Sequence, residues 1–227
     1  MRPRLLDLFC GAGGAAVGYA RAGFEVVGVD HVDQPRYPFE FIQADALEFL
    51  EGGSSPWTFA NWYPPFDAIH ASPPCQRWTL LQNAAKRAHL HPDLITPLRP
   101  VLKATGLPYV IENVPGAPLI DPVRVCMAAS HQYDGFELRR HRLFESSVWL
   151  VGSSCTCGEL PAAPCYGHGP GRWFYRKYGR GFSTLARRTI MGVEWMRWPE
   201  EAEAVPPAFT ELIGHQLMQH LRARAAA

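Results

Sequence analysis

With 227 residues, 47% of them hydrophobic and seven of them Trp, the chain can bury a full core as one domain, with or without a small insertion. The net charge of +1 conceals an asymmetry: residues 1–121 carry 9 Lys+Arg against 12 Asp+Glu, and the remainder 13 against 9. No apolar run approaches the roughly 18 residues of a membrane span and no charged-then-apolar leader opens the sequence, so a cytoplasmic protein with no membrane partner is expected. The six cysteines are widely spaced in a chain too large for a secreted disulfide scaffold, and they read as free thiols.

"RLLDLF" (4–9) reads as a strand, "CGAGG" as a glycine turn, and "AAVGYARAG" as a helix that stops at Gly23. "FEVVGVD" is a second strand ending at Asp30 and "FEFIQAD" a third ending at Asp45. "FDAIHAS" (66–72) and "PYVIENV" (108–114) are the fourth and fifth, each delivering polar residues at its C-terminal end. Strands alternating with helical stretches predict an α/β fold built on a doubly wound, mostly parallel sheet, with its site along that edge. After "HRLFESSVWLV" (141–151) the pattern breaks into Gly, Pro, Cys and aromatics over 152–183, which reads as a small irregular insertion. Helical periodicity returns at 184–196, and "PPAFTELIGHQLMQHLRAR" predicts a proline-led final helix with a basic end. The expected organisation is a core at 1–150, an insertion at 151–188 and returning helices at 189–227.

A glycine turn between strand and helix lets a ligand approach the backbone and sets helix amides beside it. Asp30 could then accept from ribose hydroxyls and Asp45 from an adenine amino group. No G-x-x-x-x-G-K-[ST] sequence is present to cradle phosphates, which favours an adenosyl ligand without a triphosphate over ATP. In "ASPPCQRWT" (71–79) two prolines remove two backbone donors and force a turn, which presents Cys75 at an edge. From these residues alone, Cys75 is either a packed thiol or a nucleophile.

"DLFCGAGG", the acid after strand two, "QADAL", "SPPCQ", "IENV" and "RRHRLF" follow in the order and approximate spacing of the cytosine-C5 DNA methyltransferase family, which the chain resembles over residues 4–147 and more weakly over its last 40 or so. The resemblance implies a Rossmann-like, S-adenosylmethionine-dependent enzyme that forms a covalent bond from Cys75 to C6 of cytosine and methylates C5, leaving S-adenosylhomocysteine. It implies that Glu112 holds the base and Asn113 orients that loop, that Pro74 belongs with the catalytic residues, and that Arg140 and Arg142 stabilise the thiolate. Phe9, Gly11, Ala12, Gly13, Asp30, His31, Asp45, Ala46 and Pro73 would hold the cofactor, and Gln76 and Val114 would face the substrate. Three departures stand out. Leu138 replaces a common Gln, His31 follows Asp30 where Glu and a bulky aromatic are more usual, and "IGHQL" puts His215 in place of an asparagine near the cofactor.

Family members usually devote a larger region to reading sequence than the one between "RRHRLF" and the returning helix. Duplex DNA is the expected partner, free CMP or dCMP the alternative, and transfer RNA a third; a monomer is expected, with a dimer as the other option. Residues 172–188 carry six basic residues, five aromatics and no acid. Such interleaving suits a phosphate backbone with exposed bases, which singles out Arg172, Arg176, Lys177 and Arg180, with Arg187 and Arg188 behind them. The bland reading is a solvated loop whose rings face the core. Cys155, Cys157, Cys165 and His168 form a C-x-C-x7-C-x2-H run whose spacing fits zinc imperfectly, so the expectation is no metal, with zinc on these four as the alternative.

Overall fold

The computed structural model describes residues 2–52, 59–61, 65–79, 88–166 and 171–226. Five parallel strands form the body of the sheet: β1 (Arg4–Leu8), β2 (Glu25–Asp30), β3 (Glu40–Gln43), β4 (Ala68–Ala71) and β5 (Tyr109–Asn113). Two more, β6 (Val123–Cys126) and β9 (His141–Ser146), extend it in the order β3-β2-β1-β4-β5-β9-β6, and β7 (Gln132–Tyr133) and β8 (Phe136–Glu137) form a separate hairpin. β9 runs antiparallel to both β5 and β6.

The central strands are buried on both faces because helices cover each side. Side chains alternate across the pleat, so consecutive residues of β1 serve different cores: Leu5 packs with Tyr19, Phe209 and Ile213, and Leu6 with Ile69, Leu98 and Ile111. The first core lies under α1 (Gly14–Arg21) and the last helix, α7 (Pro207–Ala225). The second lies under α2 (Ala46–Glu51) and α3 (Ile95–Ala104). Strand order reverses between β1 and β4, and a ligand crevice opens outside the carboxyl ends of strands at such a switch point. The glycine turn (9–13) and the Cys75 loop (72–75) leave the sheet at this point.

α1 and α7 touch through glycine. A Cβ on Gly18 would sit 2.1 Å from both the Pro207 carbonyl oxygen and Thr210 Oγ1, in a contact closed by the Thr210 hydroxyl donating to the Ala15 carbonyl at 2.8 Å. Replacing Gly18 by Val should therefore cost about 3 kcal/mol or more through overpacking against backbone. Thermal unfolding reads this directly; a midpoint within about 2 °C of wild type would mean the two helices are free to separate.

The insertion departs from the irregular reading. Arg172–Tyr178 forms a helix, α4, followed by α5 (Thr184–Met191) and α6 (Glu200–Glu203). Phe174 and Tyr178, one turn apart, meet Phe136 and Phe182, and this aromatic group belongs to a third core that also takes in Leu138, Ala163, Cys165, Ile190 and Met196. That core joins side chains from 1–150, 151–188 and 189–227. Glu137, fully buried, anchors the loop by accepting from the Gly158 and Leu160 amides at 2.6 and 2.9 Å. The helix predicted over 184–196 stops at Met191, where Gly192 takes a left-handed φ of 68°. Among the described residues, no helix is long and apolar enough to cross a membrane.

Candidate active site at the sheet switch point

Phe9 follows β1 with a φ of 56°, unusual for a residue with a side chain, and Gly13 caps α1 at φ 86°. Asp30, at the end of β2, accepts the Gly11 amide on one carboxylate oxygen and the Val32 amide on the other, both at 3.0 Å, with His31 Nδ1 3.2 Å away. The glycine turn is thus tied to β2. A cavity of about 630 Å³ opens here. Phe9, Gly11, Ala12, Asp30 and His31 line it, and so do Pro73, Pro74, Cys75, Gln76, Glu112 and Arg142, which come from other strand ends.

The Cys75 loop is locked to β5. Asn113 Nδ2 donates to the Pro73 carbonyl at 2.8 Å, and Asn113 Oδ1 accepts the Val114 amide at 2.9 Å. Glu112, adjacent, is buried, with Oε1 2.7 Å from Arg142 Nε but without a well-aligned hydrogen bond. Its carboxyl also takes a hydrogen bond from Ser72. Ser72 Oγ lies 2.8 Å from His70 Nε2, whose Nδ1 lies 3.0 Å from the Tyr19 hydroxyl, so a chain of polar groups, fully buried at His70 and Tyr19, supports the carboxylate from behind. Burial pushes the His70 imidazole down to about 3, which keeps the ring neutral.

Burial raises Glu112 above the ordinary carboxylate range despite the opposing pull of Arg142. It also raises Cys75, with Arg142 and Arg140 pulling it down and Glu112 pushing it up. The resemblance puts Arg140 at the thiolate, but its direct contacts lie elsewhere. It is fully buried, and its guanidinium donates to the Ala202 and Ala204 carbonyls and Met191 sulfur while stacking on Tyr166. Its direct contacts therefore pin the segment around Ala204, part of the cavity wall, and its charge reaches Cys75 only at a distance. Burial lowers this guanidinium to about 10.

Gly13, Asn113 and Val114 support the site without lining the cavity. Asp45 and Ala46 lie beyond it, where Asp45 Oδ1 caps α2 by accepting the Leu47 and Glu48 amides. His215 is exposed on α7 and lines no part of the cavity. The position belongs to the outer face of the helix, while its neighbour Gly214 packs on Tyr19 and Ala22.

The basic segment divides. Arg172, Arg176 and Lys177 are exposed on α4 beside exposed Trp173 and Tyr175, while Phe174 and Phe182 are buried. Arg180 pairs with Asp134 at 2.7 Å and stacks on Phe136. Arg187 and Arg188 both pair with buried Glu201, at 2.9 and 2.5 Å, which removes them from the expected phosphate contacts. Of the residues considered for zinc, Cys165 is buried in the third core and His168 lies outside the described residues.

Asp7, outside the motifs singled out in the sequence, also lines the cavity, with Oδ1 buried and lacking a hydrogen-bond partner. Burial pushes its carboxyl well above the usual range. Its signal was an acid inside the apolar run "LLDLF". The Arg36–Glu200 ion pair, with contacts of 2.7 to 3.0 Å, also joins residues of the cavity wall and had no signal at a separation of 164 residues.

The family model of C-5 cytosine-specific DNA methylases matches residues 3–118. A type II methyltransferase from Fusobacterium nucleatum, M.FnuDI, is 32% identical over 83 residues, which cover 34% of this chain but only 22% of that protein. DNMT2 from Spodoptera frugiperda and from S. pombe superimpose with a TM-score of 0.54 at 12% identity, over 97% of this chain and 99% of theirs, a likeness of fold. The matched region contains the glycine turn, Asp30, Cys75 and Glu112, and the chain belongs to the C-5 cytosine-specific DNA methylase family.

Proposed function

We propose that this chain methylates C5 of cytosine in double-stranded DNA through a covalent bond between Cys75 Sγ and C6 of the base. The observation that carries the reading is the shared cavity: Gly11 and Asp30 line the same space as Cys75, Glu112 and Arg142. The cofactor residues fit an adenosyl amino acid. Gly11 has φ +50° with open space where a Cβ would stand, and Asp7, whose Oδ1 is buried without a hydrogen-bond partner, is among the lining residues. Phe9, Gly11, Ala12 and Asp30 would hold S-adenosylmethionine, which supplies the methyl group when bound.

The protein's part begins with a cytosine flipped out of the stack. The Cys75 thiolate bonds to C6 and makes C5 nucleophilic. Glu112 holds N3 and the exocyclic amino group, so a proton is in place as charge develops on the ring. Arg142 fixes the Glu112 carboxyl and favours the Cys75 thiolate. Once C5 carries the methyl group, a base removes the C5 proton and the C6–S bond breaks, returning Cys75.

The exposed Arg172, Arg176 and Lys177, with Trp173 and Tyr175, give α4 the charge and stacking surface for a nucleic-acid strand. So small a reading region carries few base-edge contacts, each worth about 1–3 kcal/mol when bidentate, so a site of about two to four base pairs is expected. Activity should fall steeply with salt as phosphate contacts release counterions. Incubation with tritium-labelled cofactor and, separately, duplex DNA, transfer RNA and CMP or dCMP tests the reading. Label in duplex DNA is the expected result. Label in the mononucleotide or in transfer RNA, with none in DNA, would overturn the substrate and keep the chemistry.

A further inference from the structure

We propose a structural zinc site formed by Cys126, His141, Cys155 and Cys157. Their ligand atoms all lie within 4.8 Å of one another. His141 Nε2 is 3.3 Å from Cys155 Sγ and 3.5 Å from Cys157 Sγ, and the Cys126 and Cys157 sulfurs are 3.5 Å apart. Zn–S bonds of about 2.3 Å and Zn–N bonds of about 2.0–2.1 Å in a tetrahedron imply S···S edges near 3.8 Å and S···N edges near 3.6 Å. Three of the six edges thus come within about 0.3 Å of a loaded tetrahedron's, and the remaining three are no longer than 4.8 Å. Three thiolates with one imidazole are a soft, nitrogen-and-sulfur set that selects zinc over hard cations.

The cluster is assembled by the sheet. Cys126 ends β6, His141 begins β9, and the two are direct partners in the antiparallel register. Cys155 and Cys157 arrive on the loop after β9, which is held in place independently of them. Ser153 Oγ accepts the Cys126 amide at 2.7 Å and donates to the Cys126 carbonyl at 2.8 Å, and Thr156 Oγ1 accepts the Ala129 amide at 3.0 Å. The Cys126 sulfur also takes hydrogen bonds from the Ala128 and Thr156 amides, the outer contacts that orient a thiolate ligand. With zinc the centre would carry a net charge of −1, and Arg124, whose charge is felt at His141, stands beside it. His141 lies between Arg140 and Arg142 in the chain, so the metal would fix the start of the strand that delivers Arg142 to the cavity. The site stands whether or not the substrate is DNA.

Elemental analysis of protein purified under reducing conditions should find about one equivalent of zinc. Cobalt exchanged into the folded protein should show thiolate-to-cobalt charge transfer and the visible absorption of a tetrahedral site. Cys155→Ser and Cys157→Ser should each lose most of the metal and unfold at lower temperature, while Cys165→Ser keeps it. Because those variants can fail to fold, wild-type protein is also titrated with an organomercurial, and zinc should leave in step with thiol modification. Metal below about a tenth of an equivalent after purification with zinc present, a Cys126–Cys157 disulfide in the reduced preparation, or zinc retained in full by both serine variants would each overturn the proposal.

Discussion

Cys75→Ser should abolish methyl transfer, with a loss of about 10³-fold or more in kcat. The proposed chemistry asks for a nucleophile that adds to C6 and later leaves, and serine does neither well, because its hydroxyl holds its proton far more tightly than a thiol. The surroundings make the contrast larger. Burial already raises the Cys75 thiol, with only Arg142 and, more weakly, Arg140 opposing it, so a hydroxyl in the same place stays protonated throughout the working range. Packing gives no competing explanation, because Cys75 is partly exposed in the cavity wall and serine is smaller. The expected pattern is a collapsed kcat with unchanged cofactor affinity and unfolding temperature. Retention of more than about a tenth of wild-type turnover would remove Cys75 as the nucleophile.

Glu112→Gln should lower kcat by about 10²- to 10³-fold and change the shape of the pH profile. Burial raises the Glu112 carboxyl, so it keeps its proton at pH values where an exposed glutamate has lost it. Activity that needs the protonated carboxyl and the Cys75 thiolate should rise as the thiol ionises and fall as Glu112 loses its proton. With glutamine the second limb has no group to produce it, and only the rise with Cys75 ionisation remains. Stability supplies an independent check. A carboxyl whose folded pKa lies above its unfolded value destabilises the fold increasingly as pH rises from the ordinary value of 4.5 through the raised one. Glutamine removes that loss, so the variant should unfold at the same or a higher temperature at alkaline pH. A variant with an unaltered bell-shaped profile would take the proton-holding role away from Glu112.

The body of the sheet was legible because parallel strands buried on both faces leave continuous apolar runs, such as "RLLDL" and "EVVGVD", that end in polar residues at the switch point. Cys75 and Glu112 were legible by resemblance, and the Asn113–Pro73 hydrogen bond gives a physical reason for their meeting. The arm β6–β9 was harder to see. "VRVC" alternates over only four residues, and its pairing with "HRLFES" depends on a register that neither segment encodes alone. That register also hid the thiol–imidazole cluster: adjacent spacing within 155–168 suggested Cys165 and His168, whereas two of the four partners come from across the sheet. The basic run conceals its acidic partner for a related reason. Arg187 and Arg188 look solvated in a basic run, but Glu201, 13 or 14 residues on, folds back to take both.

The covalent step can be observed directly. In duplex DNA carrying 5-fluorocytosine, the fluorine cannot leave C5 as a proton does, so the bond from the enzyme to C6 should persist after methyl transfer. With S-adenosylmethionine present, a protein–DNA complex that survives denaturation is expected, and peptide mapping should place the linkage on Cys75. Methylation of ordinary duplex DNA with no trapped complex on the fluorinated duplex, or a linkage at any other residue, would contradict the assignment of Cys75, Glu112 and the adjoining cofactor cavity as one active site.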